Sequence, residues 1–193
     1  MTARYGAVIL AAGASTRLGR PKQLVEIEGE PALRRAARCA LGTNPLDCVV
    51  VLGREHTQVE AALEGMPVRR LRIDDAGTGM AASLRAGVAA LDIRCEGALI
   101  VLTDQPRLHV DHLLALCAAW RAAPGRAAAS AYAGVLGVPA LLPRAWFPAI
   151  ASLRGDIGAR ALLRGRTDVV AVPEPDLARD IDVPADLDDT AAS

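Results

Sequence analysis

Four short apolar runs rich in β-branched residues recur along the first half of the chain, at 7–10, 48–52, 68–73 and 98–102. Helical patterns fill the gaps between them. The stretch 31–42, PALRRAARCALG, begins with Pro31 and ends with Gly42, which are favoured at the start and just past the end of a helix. Strand–helix alternation at this spacing predicts βαβ units and a parallel sheet buried on both faces. The fold class is therefore α/β.

The helix predicted over 31–42 is amphipathic. Its apolar residues lie on one face. Three arginines lie outside that face, on the polar side of the helix: Arg34, Arg35 and Arg38.

The second half of the chain is more irregular. We predict a helix over 109–123, strand-like pieces over 127–134 and 136–143, a short helix near 144–150, a helix within 156–165 and a strand over 168–174. No internal repeat or low-complexity linker interrupts the chain. We therefore expect a single domain over 1–193, whose first half, 1–106, is of a nucleotide-binding type.

Composition narrows the class of partner. The 22 basic and 22 acidic residues cancel, which argues against a nucleic acid or an anionic membrane as the partner. Aromatic residues make up only 3% of the chain, too few for a base-stacking surface. The four cysteines are widely spaced, which favours buried free thiols. No signal peptide precedes the first strand and every apolar run is too short for a bilayer, so we expect a cytoplasmic protein.

The stretch 7–29 passes from an apolar strand into small residues, LAAG, and then into cations that include Arg17 and Lys22. It fits neither the G-x-G-x-x-G fingerprint of dinucleotide-binding folds nor the G-x-x-x-x-G-K-[ST] loop. Small side chains let backbone amides approach a ligand closely, and two cations beside them suit a polyphosphate. Because ligands of open α/β sheets bind at the carboxyl ends of the strands, a plain solvated basic loop is the weaker alternative.

Asp104 ends the buried run at 98–102, in LTDQP. A carboxylate there is costly unless it is paired or binds a cation, and Mg²⁺ takes one or two protein carboxylates together with phosphate oxygens. A helix cap is the alternative role for Asp104. Asp180 and Asp182 would face one side of an extended segment, or simply solvent.

Two other kinds of site are disfavoured. His109 and His112 form H-x-x-H without the further ligands that zinc needs. A G-x-S-x-G nucleophile elbow is absent from the sequence.

Six blocks in order give the chain a family resemblance. They are LAAGASTRLGRPKQL, GTGMAASLRAG, LTDQP, GVPALLP, LRGDIGARALL and DIDVPADL. Together they resemble the molybdopterin nucleotidyltransferases, MobA-like NTP transferases, and in particular the cytidylyltransferase-like branch of that family. The resemblance implies a Rossmann-like, mostly parallel sheet with helices on both faces, of the nucleotide-diphospho-sugar transferase type. It also implies an acceptor-side half over 107–193.

The resemblance implies roles for individual residues. Those expected to bind nucleotide are Leu10, Ala11, Ala12, Gly13, Arg17, Lys22, Asp74 and Asp75. Arg17, Lys22 and Asp104 are the expected catalytic set, and Asp104 and Asp182 the expected ligands of Mg²⁺. On the acceptor side, the G-x-P segment implies that Gly137 and Pro139 contact the acceptor. Asp156 and Arg160, at the start of a predicted helix, are also expected to bind the acceptor. The alternative for Asp156 is that it only caps this helix.

The implied reaction is attack by an acceptor phosphate on the α-phosphorus of an NTP, with loss of pyrophosphate. The segment LAAG, in place of LAGG, favours CTP over GTP as the nucleotide. The implied acceptor is molybdopterin, and a molybdenum enzyme is the implied further partner. A monomer is the favoured oligomeric state. Val138 stands where many relatives carry His, and Val183 replaces a Thr. A sugar phosphate or another small phosphate therefore remains an alternative acceptor, and a non-catalytic cofactor carrier an alternative function.

Overall fold

The computed structural model describes residues 3–13, 21–53, 57–74 and 79–178. The strands of these residues are β1 (Tyr5–Ala11), β2 (Glu26–Ile27), β3 (Glu30–Pro31), β4 (Asp47–Leu52), β5 (Arg69–Arg72), β6 (Gly97–Leu102), β7 (Ala127–Tyr132), β8 (Val135–Pro143) and β9 (Val169–Pro173). Seven of them form one sheet in the order β5-β4-β1-β6-β8-β7-β9, and β2 pairs with β3 separately. The first four strands of that order run parallel, which confirms the predicted parallel sheet.

The second half of the chain departs from this parallel arrangement. Strand β8 runs antiparallel to both β6 and β7, and β9 returns parallel to β7. The short connection between β7 and β8 makes a hairpin, which an antiparallel pair permits and a parallel pair does not. As a result, the turn of this hairpin lies at the same edge of the sheet as the carboxyl ends of β1 and β6.

Helices cover both faces of the sheet. Those of the described residues are α1 (Ala32–Gly42), α2 (Thr57–Ala61), α3 (Met80–Ala90), α4 (Val110–Ala122), α5 (Phe147–Ser152) and α6 (Ala159–Leu163). Buried residues of α1, α2 and α4 share one core with one face of the sheet, and those of α3 and α6 share a second core on the other face, to which Ile150 of α5 belongs.

Strand β1 shows why its sequence is apolar at successive positions. Ala7 and Ile9 pack into the core of α1 and α4, whereas Val8 and Leu10 pack into the core of α3. Successive side chains of a strand point to opposite faces, so a strand covered on both faces needs apolar residues at every position. This double burial holds β1, and the loop that leaves it, at the centre of the molecule.

Three local expectations are corrected. Arg35 is buried, at 4% exposure, although the helical pattern assigned it to the polar face; its guanidinium lies 3.5 Å from a carboxylate oxygen of Glu28. Helix α6 begins at Ala159 with Gly158 as its N-cap, so Asp156 does not cap it. Strand β5 is shorter than the predicted run at 68–73, and it is a mostly exposed strand at the edge of the sheet, not one that is buried on both faces.

The cysteines and His112 take structural positions. All four cysteines are buried free thiols, as expected. His112 Nε2 lies 2.7 Å from Ser130 Oγ, which itself donates to the carbonyl of Pro139 at 2.7 Å, so the imidazole N–H donates to the serine. Burial lowers the pKa of His112, which keeps the ring neutral. Among the described residues, no helix is both long and apolar enough to cross a bilayer.

Candidate active site

The candidate site is a cavity of about 250 Å³ at the carboxyl ends of β1 and β6. The two strands are neighbours, with Leu10 paired to Leu102, so the segments that follow them leave the sheet side by side. One segment carries Gly13 and the other Asp104. The cavity is lined by Leu10, Ala12, Gly13, Lys22, Gln23, Gly79, Met80, Ser83, Leu102, Thr103, Asp104 and Asp156.

Lys22 and Asp104 meet in this cavity although they are 82 positions apart in sequence. The ammonium group of Lys22 donates a hydrogen bond to Asp104 Oδ2 and forms an ion pair with it. Both side chains are mostly buried, with 22% and 15% of their surface exposed. The pair places one fixed positive and one fixed negative charge at the end of β6, where a ligand of an open α/β sheet binds.

The second carboxylate oxygen of Asp104 is in a different situation. Asp104 Oδ1 is buried and finds no hydrogen-bond partner among the residues that the structure describes. A buried carboxylate oxygen without a donor is unfavourable, because it has lost its water without a replacement. It is therefore an acceptor that a cation could satisfy.

Gln23 fixes the backbone of the LAAG segment. Its side-chain amide donates to the carbonyl oxygens of Ala11 and Gly13, each at 2.8 Å, and the residue is fully buried. Without Gln23, these two backbone carbonyls at the end of β1 would need water molecules as hydrogen-bond donors. The short 3-10 helix Lys22–Leu24, which carries Gln23, also carries Lys22, so this turn holds the loop and presents the cation together.

Replacing Gln23 with Met should weaken both the fold and nucleotide binding. Met has a similar length but cannot donate to the carbonyls of Ala11 and Gly13, and leaving buried acceptors without donors costs about 1–3 kcal/mol of unfolding free energy. We expect the dissociation constant for an NTP to rise about tenfold as the loop loses its fixed position. Urea unfolding and calorimetric NTP titration measure the two effects.

The control for this variant is Glu26→Gln, a change in an exposed residue of β2. It should alter neither quantity. A Gln23→Met protein that is less stable but binds NTP with unchanged affinity would reduce Gln23 to a purely structural residue.

The start of helix α3 connects the two halves of the chain at the cavity. Gly79 has a φ of +94°, and a Cβ on it would lie 2.4 Å from the backbone of Gly155. Only glycine fits there, for both the backbone conformation and the close contact. The N–H of Ala81 donates to the carbonyl of Gly155 at 3.1 Å. This contact brings Asp156, from the second half of the chain, to the wall of the cavity.

The expected acceptor-side residues do not all reach this cavity. Asp156 lines it, whereas Gly137 and Pro139 are buried within β8 and are not among its lining residues. The carbonyl of Val138, between them, accepts hydrogen bonds from the Gln105 side chain at 2.9 Å and from the Tyr132 hydroxyl at 3.0 Å. Arg160 lines a separate pocket beyond α6.

The remaining expected residues divide into two groups. Leu10, Ala12 and Gly13 line the cavity, and Ala11 faces the opposite core while its carbonyl is held by Gln23. Asp74 is exposed just after β5 and is not among the lining residues. Arg17, Asp75 and Asp182 lie outside the described residues.

The family model of the MobA-like NTP transferase domain matches residues 7–171, which include every strand of the main sheet in part or whole. The chain belongs to this family. It is thus a nucleotidyltransferase of the MobA-like type, and the family and fold that the sequence blocks implied are both confirmed.

Two relatives of this MobA-like chain are similar over nearly their whole lengths. The purine catabolism protein PucB of Bacillus subtilis (strain 168) is 35% identical, over 94% of this chain and 93% of the relative. The crystal structure of Rv0371c from Mycobacterium tuberculosis H37Rv superposes with a TM-score of 0.85 at 28% identity, over 98% of this chain and 99% of the other. A structure of Rv0371c in complex with manganese superposes with a TM-score of 0.81 at 26% identity, over 100% of both chains.

Sequence reasoning missed several residues of the MobA-like cavity. Gln23, Gly79, Met80, Ser83 and Thr103 line it without having been assigned a role. The block GTGMAASLRAG contains three of them, and its glycines before a helix were the available signal. For Gln23 the sequence offered no signal, because a glutamine that is buried and donates to the backbone cannot be distinguished by sequence from a glutamine on the surface.

Proposed function

We propose that this MobA-like nucleotidyltransferase transfers CMP from CTP to the phosphate of molybdopterin and releases pyrophosphate. The observation that carries the proposal is the meeting of Lys22 and Asp104 beside the LAAG segment, at the carboxyl ends of two parallel strands. A cation, a carboxylate and a closely approachable backbone are the groups that hold and neutralise a nucleoside triphosphate.

In this proposal the nucleotide lies along Leu10, Ala11, Ala12 and Gly13, with its outer phosphates at Lys22. The small side chains of the segment allow the phosphates to approach the backbone closely. Arg17 is proposed as the second cation for the triphosphate. Asp74 and Asp75 follow β5 and are proposed to contact the base or the ribose.

The cavity fits a divalent cation, which we propose to be Mg²⁺. Asp104 Oδ1 is the buried acceptor without a partner among the described residues, and a hard cation binds such an oxygen. Those residues contain no cluster of three or more metal-ligating side chains, so the remaining ligands would be phosphate oxygens, water and Asp182. When bound, the ion would offset the charge of the triphosphate.

The residues of the chain then have clear tasks in the transfer. An oxygen of the acceptor phosphate forms a bond to the α-phosphorus of CTP, and the bond between that phosphorus and the bridging oxygen of the β-phosphate breaks, so pyrophosphate leaves with the electron pair. The acceptor phosphate is already anionic, and no general base is needed. Lys22 and Arg17 offset the charge of the departing pyrophosphate, and the fixed LAAG segment keeps the reacting groups in line.

Three features support the proposed acceptor side, the proposed recipient and the choice of nucleotide. Asp156 lines the cavity and comes from the second half of the chain. We propose that the acceptor enters on this side, and that Gly137 and Pro139 support it from within β8. We propose a molybdenum enzyme as the recipient of the product. Because the chain is similar to PucB, a purine catabolism protein, we propose that this recipient acts in purine catabolism. CTP is proposed over GTP because the segment reads LAAG.

The test has two stages and uses the purified full chain. Thermal unfolding with Mg²⁺ and each of the four common NTPs should give the largest rise in melting temperature with CTP, because a ligand that binds only the folded state stabilises it. Pyrophosphate release should then require both CTP and molybdopterin. A larger shift with GTP would overturn the choice of base.

The second stage also decides between acceptors. Val138 stands where many relatives carry His, and it is 9% exposed and packs in the core that α3 and α6 share. The acceptor side therefore has no imidazole at this position. Pyrophosphate release with a sugar phosphate but not with molybdopterin would establish the alternative acceptor. Cofactor binding without pyrophosphate release under any condition would establish a carrier.

A further inference from the structure

A second pocket, of about 260 Å³, lies at the same edge of the sheet as the cavity. It is formed between the β7–β8 hairpin, which contributes Gly134, and the end of α6 with the turn that follows it. Three arginines line it, Arg160, Arg164 and Arg166, and no acidic residue does. The pocket therefore concentrates positive charge in a protein whose total charges cancel.

The charges of these three arginines are not equally compensated. Arg166 donates to both carboxylate oxygens of Asp168, at 2.7 and 2.6 Å, and its guanidinium carbon lies 4.0 Å from the centre of the Trp146 ring. These contacts fix its position and offset its charge. Arg160 and Arg164, in contrast, form no ion pair with any carboxylate in the part of the chain that the structure describes.

The second pocket adjoins the cavity through a short stretch of chain. Asp156 lines the cavity, and Arg160 follows it by four residues. Helix α6, which is 5 residues long, spans about 7.5 Å and leads from one to the other. A small molecule with its reacting phosphate in the cavity can thus place another anionic group at Arg160 and Arg164.

We propose that this second pocket is an anion-binding site, and that it holds an anionic group of the acceptor other than the phosphate that reacts. Arginine suits this task because its planar fork donates two hydrogen bonds to an oxyanion. The site would orient the acceptor by its far end, so it would contribute to binding rather than to the chemical step. The acceptor part of this proposal rests on the proposed function; the anion site itself does not.

The anion site is tested with inorganic phosphate as the probe. In ¹⁵N-labelled protein, phosphate should shift the backbone amide signals of Gly134 and Gly165, which both line the second pocket. The double variant Arg160→Ala/Arg164→Ala should abolish these shifts. The double variant Arg94→Ala/Arg121→Ala removes the same charge at the opposite edge of the sheet and should retain them. Wild-type signals that do not move with phosphate would overturn the proposal.

The acceptor role is tested by pyrophosphate release at saturating CTP. The Arg160→Ala/Arg164→Ala variant should raise the KM for molybdopterin at least about tenfold, the loss expected for one charge-assisted contact, with kcat and the KM for CTP unchanged. An unchanged KM for molybdopterin in this folded variant would overturn the acceptor role. If wild-type protein does not use molybdopterin at all, the proposed function fails, and phosphate shifts at Gly165 that the double variant abolishes would still establish the anion site.

Discussion

Replacing Asp104 with Asn should reduce turnover by about three orders of magnitude while the protein remains folded. Asp104 Oδ1 is a buried side-chain oxygen of the cavity that has no hydrogen-bond partner among the described residues, and a bound metal ion contributes several kcal/mol to transition-state stabilisation. At about 1.4 kcal/mol for each factor of ten, a loss of this size follows from weakened metal binding alone. Steady-state pyrophosphate release at saturating substrates measures it.

The fold should tolerate this substitution. Asp104 loses its ion pair with Lys22, but both side chains keep some exposed surface, and Lys22 can turn toward water. Because the pair keeps this exposed surface, its loss should cost less than the about 3–5 kcal/mol of breaking a fully buried pair. The melting temperature should therefore change by only a few degrees.

The matched control is Asp111→Asn, the same chemical change in an exposed carboxylate of the first turn of α4. It should leave turnover unchanged. A folded Asp104→Asn enzyme with full turnover would remove Asp104 from the reaction. Helix capping offers no alternative role, because α4 begins at Val110 with His109 as its N-cap.

The parallel strands of the sheet and helix α1 could be predicted from the sequence, because the residues that determine them lie within each element. The apolar residues of β1 alternate between two cores, as at Ile9 and Leu10, and a continuous apolar run is what such burial requires. Helix α1 ends at Gly42, as the pattern predicted, although the residue that leaves it in the left-handed region is Asn44, at φ +54°. Asp104 could be singled out for the same reason, since a carboxylate at the end of a buried strand needs a partner.

The parts that could not be predicted depend on tertiary contacts. Arg35 follows the polar pattern of α1 but is covered by the turn that carries Glu28, and nothing in the helix itself indicates that. Arg160 was expected to share a cleft with Asp156, yet a helix that begins at Ala159 turns it toward the hairpin of β7 and β8. A shift of the helix start by a few residues changes which way a side chain points, and sequence patterns do not resolve helix ends that finely.

The contact between Lys22 and Asp104 leads to a prediction with two opposite effects. In the ligand-free protein the ammonium group occupies Asp104 Oδ2, so it competes with a metal ion for the same carboxylate. With nucleotide bound, we propose that Lys22 contacts the outer phosphates instead. The lysine should therefore oppose metal binding in the absence of NTP and promote NTP binding when the metal is present.

The variant Lys22→Met separates these effects, because it keeps the apolar stem of the side chain and removes only the charge. Without nucleotide, Mn²⁺ used as a spectroscopic probe should bind about three- to tenfold more tightly, as expected when a neighbouring like charge is removed. With metal present, the dissociation constant for CTP should rise at least about tenfold, and that for CMP should hardly change, because CMP lacks the outer phosphates. Paramagnetic resonance for Mn²⁺ and calorimetry for the nucleotides measure the three constants.

The comparison of CTP with CMP is the internal control, since both share the base, the ribose and the α-phosphate. Equal loss of CTP and CMP binding would place Lys22 near the base or ribose. Unchanged Mn²⁺ affinity would mean that Asp104 Oδ1 alone sets metal binding and that the ion pair at Oδ2 does not compete with it. The expected pattern, tighter Mn²⁺ and weaker CTP in one variant, cannot arise from a general loss of structure, because unfolding weakens both. It would show that one lysine exchanges a carboxylate for a triphosphate when the substrate arrives.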